Sequence, residues 1–238
     1  MGFSKKEAPN CDWCKFKSNC FYELLNDKAS KKEWREMRIA NRYRPGEAIF
    51  YEGETPGGVY TICSGKVKIY KSSRTGQQLL IRIEKAGDLL GHISALAEWP
   101  YAGGAEALEE AVVSMITEAA LRKFLVAHPN SAMVLLREVA RDVRRGEAIA
   151  RDIAFKPARS RLAGTLTRMM SVPAGKNSGP PRITSLKRKE IAEMAGLTIE
   201  TTVRLLKDFE TRGWIERKEK EIIITEPEKL RSVSGQFS

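Results

Sequence analysis

Only two of the 238 residues are histidine and only four are cysteine. The histidines, His92 and His128, stand far apart with no His-x-His pair. A cupin-type enzyme needs several histidines and a carboxylate converging on a metal, so that class is disfavoured and a binding protein, not an enzyme, is expected. No apolar run approaches the roughly 20 residues that a membrane helix requires. The opening MGFSKKEAPNCDWC lacks the apolar core of a secretory signal, and Lys6 stands where an acylation site wants Ser or Thr. A cytoplasmic chain is expected, in which the cysteines are not permanent disulfides.

What is present is charge and periodicity. The chain is 42% hydrophobic and 30% charged, enough for two modest domains with real cores. The net charge is +11, and from Phe155 onward 17 Lys and Arg stand against 10 Asp and Glu. A basic terminal third suits a polyanionic partner, because neutralising phosphates releases counterions.

From about Arg42 to Arg122, short alternating runs are separated by glycines. Residues 48–51, 59–62, 66–71, 78–84 and 111–117 read as strands of a sandwich or barrel. From Ser131 the period changes. Ala132, Leu136, Val139, Val143, Gly146, Ala150 and Ile153 are spaced 4, 3, 4, 3, 4, 3, a heptad seam with charge on the other faces. A single helix could pack that seam on its own domain. The small residues Gly146 and Ala150 favour close approach of two helices, in a dimer weakened by about 1 kcal/mol for glycine in a helix. Lys156-Pro157 breaks the helix. Ser160 to Met170 reads as a helix opening the next domain, and Val172 to Pro181 as a turn-rich loop.

The stretch from Ile183 to Leu230 reads as helix, tight turn, second helix and β-hairpin. Ser185 is a plausible N-cap, and Ile191, Ala192 and Ala195 form an apolar face. Gly196 supplies the backbone freedom for the turn, and Thr198 can cap the second helix. With Val203, Leu206 and Phe209 inward, Ile199, Glu200, Thr201 and Arg204 lie outward, as base-reading side chains do. Gly213 ends the helix, and 214–217 and 221–225 read as the two strands of a wing.

Taken together, Arg44-Pro45-Gly46-Glu47, Phe50-Tyr51-Glu52-Gly53, Tyr60 to Lys68, Gly87-Asp88-Leu89-Leu90-Gly91, Lys189 to Ala192, Gly196-Leu197-Thr198 and Glu200 to Arg204 resemble the catabolite activator and fumarate–nitrate reduction regulator (CRP/FNR) superfamily of bacterial transcription factors. The resemblance covers nearly the whole chain. It implies an α+β architecture: an N-terminal cysteine segment (1–28), a cyclic-nucleotide-binding-like β-roll (29–126), a long dimerisation helix (127–156) and a C-terminal winged helix-turn-helix (157–238). It further implies DNA contacts from Thr198, Ile199, Glu200, Thr201, Val203 and Arg204, with Glu200 and Arg204 reading bases and the two threonines holding the backbone. The partners implied are a second copy of the chain, a palindromic double-stranded operator and RNA polymerase. Val203 stands where relatives carry Ser or Gly, so only an apolar contact such as a thymine methyl is open to it.

The effector is less clear from the residues. Cyclic-nucleotide binders of this kind use a Glu after the GDxxG segment and an Arg-Ser or Arg-Thr pair further on. Here His92 takes the Glu position and Ala102-Gly103-Gly104 offers no cation, which disfavours cAMP. A signalling module without DNA activity, the alternative function, suffers the same loss. Cys11, Cys14 and Cys20 match the C-x2-C-x5-C spacing of the cluster-binding branch, implying a [4Fe–4S] cluster. That branch takes its fourth cysteine from the late β-roll, and the matching stretch, Val112 to Ile116, has none. Cys63 shares strand parity with Val67 and Ile69 and so is expected to point into the roll. A bulge near Gly65 would bring it into play, and Asp12 is another fourth donor. A zinc site, a redox dithiol and plain structural thiols stay open, as does haem ligation by His92. Trp99, Pro100 and Tyr101 could wall a small-molecule pocket or belong to the core.

Overall fold

The computed structural model describes residues 8–72, 78–170, 179–184, 186–219 and 221–235. Contacts divide the chain into two units, Met1–Arg145 and Gly146–Ser238, with the boundary inside one long helix.

The first unit opens with a 3-10 turn (Lys17–Asn19), α1 (Phe21–Leu24) and α2 (Lys28–Glu36). The roll follows as β1 (Ile39–Tyr43), β2 (Ala48–Phe50), β3 (Gly58–Ser64), β4 (Lys66–Ser72), β5 (Gln78–Lys85), β6 (Leu89–Leu90), β7 (Gly104–Ala107) and β8 (Ala111–Thr117). Helix α3 (His92–Ala97) interrupts it, and α4 (Glu118–Ala127) and α5 (Pro129–Phe155) close it. The strands form two antiparallel sheets in the orders β1-β8-β3-β6 and β2-β7-β4-β5.

Two aromatic groups fill this unit. Trp34 packs on Phe21 and Phe124 with ring centroids 4.6 and 5.4 Å away, tying α1, α2 and α4 together. Between the sheets, Phe50 stacks on Tyr101 at 4.0 Å, and the Tyr101 hydroxyl donates to the Gly58 carbonyl at 3.0 Å. Tyr101 therefore belongs to the core, whereas Trp99 is exposed. β1, β6, β7 and α3 are not apparent in the sequence pattern. β7 reads Gly-Ala-Glu-Ala, weak strand material, because its small residues make room for neighbours. A Cβ on Gly104 would lie 2.4 Å from Cζ of Tyr70.

Helix α5 resolves which face meets its own domain. Ser131, Val134 and Leu135 are its buried residues. The heptad seam is a different face: Leu136, Val143 and Ile153 are 55%, 55% and 52% exposed, and nothing lies within 4 Å of the Cβ position of Gly146. Packing of that seam on the helix's own domain is thus not what the fold does.

The second unit begins with the end of α5, where Asp152 holds Lys156 at 3.1 Å and Arg161 donates to the Ile153 carbonyl at 3.2 Å. It continues as α6 (Ala158–Met169), β9 (Arg182–Thr184), α7 (Arg188–Ala195), α8 (Ile199–Thr211), β10 (Ile215–Arg217), β11 (Glu221–Ile224) and α9 (Pro227–Ser234). The sheet has three strands, β10-β11-β9, so the expected hairpin gains a partner from the segment before α7. Leu162, Leu166, Ile191, Leu206, Phe209 and Leu230 form its core. Arg159 braces the end of α8, pairing with Asp208 at 2.9 Å while its guanidinium lies 5.5 Å from the Phe209 ring centre and 5.2 Å from that of Trp214.

Two local expectations change. Ser185 lies outside the described residues, and α7 is capped at Lys187, whose N–H donates to the Glu190 carboxylate at 2.7 Å. On α8 the buried row is Thr202, Leu206 and Phe209. Those positions follow the i, i+4, i+7 helical repeat, which turns Val203 to the flank, half-buried.

Candidate nucleic-acid interface and thiol site

Gly196 adopts the left-handed conformation (φ 62°), and its N–H donates to Glu193 O at 3.0 Å while Leu197 N–H reaches Ala192 O at 2.9 Å. This closes α7 and releases the chain into α8 within three residues. Thr198 then caps α8, its hydroxyl oxygen accepting from Thr201 N–H at 3.2 Å. Along α8, Ile199, Glu200 and Arg204 are exposed, and Thr201 and Val203 are half-buried.

Charge pairing separates the two ends of α8. Toward its C-terminus Asp208 pairs with Arg159 and Arg212, and Glu210 pairs with Arg217, whose hydrogen bonds hold the Glu210 carboxyl below its ordinary range. At the N-terminal end, Glu200 and Arg204 have no ion pair or hydrogen-bond partner for their side chains among the described residues. Glu190 and Glu193 on α7 are engaged locally, and Lys187, Arg188 and Lys189 are exposed beside them. The first turns of α8 therefore carry a carboxylate and a guanidinium that no other described residue pairs with.

The thiols converge. Cys11, Cys14, Cys20 and Cys63 line one small cavity of about 20 Å³, with Arg38, Phe16 and Tyr22 also on its wall. Cys63 does not point into the roll as strand parity suggests. The β3–β8 register slips between Ile62 and Ser64, so Cys63 is the extra residue of a bulge, and a bulge re-aims its side chain. Its sulfur lies 3.5 Å from the Ser114 hydroxyl, within the late strand that lacks the family's fourth cysteine, and 3.9 Å from Arg38 Nη1. Asp12, the other fourth donor, is taken by Tyr22 and Arg35 and does not line the cavity. Burial pushes the Cys11 and Cys20 thiols up to about 11, outweighing the nearby Arg38 charge. Such thiols are poor nucleophiles, which disfavours a reactive dithiol. Among the described residues, no three metal-ligating side chains already surround one point.

Two family models match the chain: a cyclic nucleotide-binding domain over residues 40–128 and a Crp-like helix-turn-helix domain over 160–233. A CRP-like cAMP-activated global transcriptional regulator of Mycobacterium tuberculosis is 32% identical over 186 residues, 78% of this chain and 83% of that protein. The chain belongs to the CRP/FNR superfamily of transcription regulators. The fumarate and nitrate reduction regulatory protein of Escherichia coli K12 is 25% identical over 229 residues, 96% of this chain and 91% of that one. The structure of FixK2 from Bradyrhizobium japonicum superposes with a TM-score of 0.73 at 25% identity, covering 84% of this chain and 99% of that one. This CRP/FNR-type regulator thus carries a helix-turn-helix DNA-binding domain behind a cyclic-nucleotide-binding-like roll.

In this CRP/FNR member Ala102, Gly103 and Gly104 carry no cationic side chain. A Cβ on Gly103 would lie 2.7 Å from Tyr70 O, so Gly103 and Gly104 have no room to carry a phosphate-binding side chain. His92 is buried at the start of α3, its Nε2 3.3 Å from Asp142 on α5. Its Nε2 faces that carboxylate. His128 sits 2.8 Å from Glu33. Around His92, Arg82 pairs with Glu84 at 2.7 Å and Asp142 at 3.4 Å, and Arg145 reaches Glu84 at 3.1 Å. The cluster borders a polar cavity of about 350 Å³ between the N-terminal segment, β5 and α5. Burial pushes the Glu84 carboxyl up to about 8 against the pull of both arginines. Asp142, less buried, is held low despite desolvation by His92 and Arg82.

Folded Glu84 thus keeps a proton from 4.5 to about 8, where the unfolded chain has lost it. The folded state binds the extra proton, so stability falls as pH rises through that window. Glu84→Gln, with no charge to bury, is expected to flatten that decline. Thermal melts of both proteins across the window check it, and parallel curves would mean the arginines keep Glu84 ionised throughout.

Proposed function

We propose that this regulator acts as a homodimer on a palindromic operator and that its thiol site carries the signal. The observation that carries the DNA reading is the unpaired Glu200 and Arg204 on the exposed first turns of α8, a carboxylate and a guanidinium held for partners outside the chain. Arg204 is suited to guanine O6 and N7, and Glu200 to a cytosine amino group. Thr198 and Thr201 lie where the capped helix N-terminus meets phosphate. The dimer reading rests on the α5 seam, where Leu136, Val143, Gly146, Ala150 and Ile153 are exposed and Ala132 and Val139 half-buried. Two recognition helices so joined read half-sites about one turn, ~34 Å, apart. RNA polymerase is the partner through which such a bound dimer regulates transcription.

For the signal, the donor set decides. Four thiols around one cavity beside an arginine suit a thiolate-bound metal centre better than a nucleotide, and Cys63 on β3 takes over the role that the late strand leaves empty. Cys11, Cys14, Cys20 and Cys63 would hold an iron–sulfur cluster, which supplies sensitivity to oxygen and redox state when bound. The raised thiol pKa values of Cys11 and Cys20 mean that loading releases protons there, and drawing four side chains onto one centre orders the N-terminal segment. A redox-insensitive zinc ion is the competing occupant of the same ligands.

Arg204→Ala is expected to weaken specific operator binding about 5- to 150-fold, from the ~1–3 kcal/mol of one bidentate base contact, with the circular dichroism spectrum unchanged. Gel shifts on the selected operator read this, and undiminished affinity removes Arg204 from the interface. Val143→Asp combined with Ala150→Asp is expected to shift sedimentation toward monomer; a persistent dimer places the interface elsewhere. Anaerobically purified protein is expected to show a broad band near ~400 nm with iron and sulfide in equal amounts, lost together in Cys63→Ser. Stoichiometric zinc would refute the cluster, and iron retained in Cys63→Ser would refute this ligand set.

A further inference from the structure

Arg38 stands between α2 and β1 and lies on the wall of the thiol cavity. Its Nη2 donates to the Pro9 carbonyl at 2.9 Å, and its Nη1 lies 3.9 Å from the sulfur of Cys63. Pro9 leads into the cysteine segment and Cys63 sits on the β3 bulge, so one side chain reaches both halves of the ligand set. Its Nε is buried with no hydrogen-bond partner, and no carboxylate pairs with it among the described residues. Lys17, the other cation on that wall, is exposed to water, which screens its charge. A guanidinium partly withdrawn from water without a counter-charge is costly, and only an anion beside it offsets that cost. Neutral thiols supply none. Four thiolates closing on a divalent ion set four negative charges against two positive ones, and the excess falls beside Arg38.

We propose that Arg38 is a positioning residue of the thiol centre, donating to the Cys63 thiolate while its charge offsets the excess negative charge of a four-thiolate metal site. The inference rests on the thiolate-bound centre proposed above. The Ser114 hydroxyl, 3.5 Å from the same sulfur, can turn to donate as well once that sulfur is a thiolate. Hydrogen bonds to ligating sulfur and charge close by tune how tightly a metal is held. Arg38 does this without being a ligand, and its bond to Pro9 ties the cysteine segment to the strand that carries Cys63.

The test is a cobalt(II) titration of the full-length, reduced, metal-free protein under nitrogen, read by thiolate-to-cobalt charge-transfer absorbance. Arg38→Gln is expected to lower cobalt affinity about 10- to 100-fold, the usual worth of a group that hydrogen-bonds a metal ligand. Arg38→Lys, which keeps the charge, is expected to recover most of that loss. Thermal melts of the metal-free forms are expected to coincide, because the charge gains its counter-ion only when metal binds. Cobalt affinity unchanged in Arg38→Gln, or Arg38→Lys no better than Arg38→Gln, overturns the role of Arg38 and leaves the thiol centre intact. A metal-free melt lowered in either variant does the same, since Arg38 would then be a brace of the fold. Wild-type protein that takes up no cobalt on thiolate overturns both.

Discussion

Charge buried between the roll and helix α5 sets the orientation on which the other features depend. Asp142 and Arg145 turn toward Arg82, Glu84 and His92, and one helix can offer only one face to its own domain. With that face committed, Leu136, Val143 and Ile153 must look outward. Buried ion pairs contribute little net stability, because desolvation consumes most of the Coulomb gain. Their value here is orientation: a rotation of α5 would take Asp142 away from Arg82 and His92. An apolar interface would tolerate such a rotation far better.

The thiol site follows a different logic, in which one strand irregularity substitutes for a missing residue. Ser114 occupies the late strand where the resemblance asks for cysteine, and the bulge at Cys63 delivers a sulfur within 3.5 Å of that serine. The bulge breaks the alternation of β3, so a side chain that parity assigns to the interior faces the N-terminal segment instead. Glycine at position 65, with its positive φ and a neighbouring Ala111 backbone too close for a Cβ, lets the strand resume after the irregularity.

The winged helix was legible because its information is local. Gly196, Thr198 and Gly213 mark the ends of helices through their own backbone chemistry, and the spacing of Ile191, Ala195, Leu206 and Phe209 records the core directly. Elements whose reasons lie elsewhere in the fold were not legible. β7 has the composition it has because Tyr70 fills the space above Gly104, and β6 is two residues long. The third strand of the wing needs β11 before it has a partner. The direction of Cys63 depends on a register slip, and the inward position of Thr202 on a small rotation of α8 that no single residue announces. The heptad seam was legible as a pattern, but only the burial of Ser131, Val134 and Leu135 separates it from the face that meets the roll.

Trp13 sits between Cys11 and Cys14 and is 88% exposed, while Trp34 is wholly enclosed by Phe21 and Phe124. The regulator therefore carries two indoles of opposite character within 21 residues of sequence. One emits from water at the edge of the cysteine segment, open to iodide and to energy transfer into any coloured centre nearby. The other emits from a dry aromatic nest that solvent quenchers do not reach. Once Trp99, the other exposed indole, is replaced by phenylalanine, difference fluorescence between them makes the N-terminal segment its own optical gauge, without disturbing a single thiol.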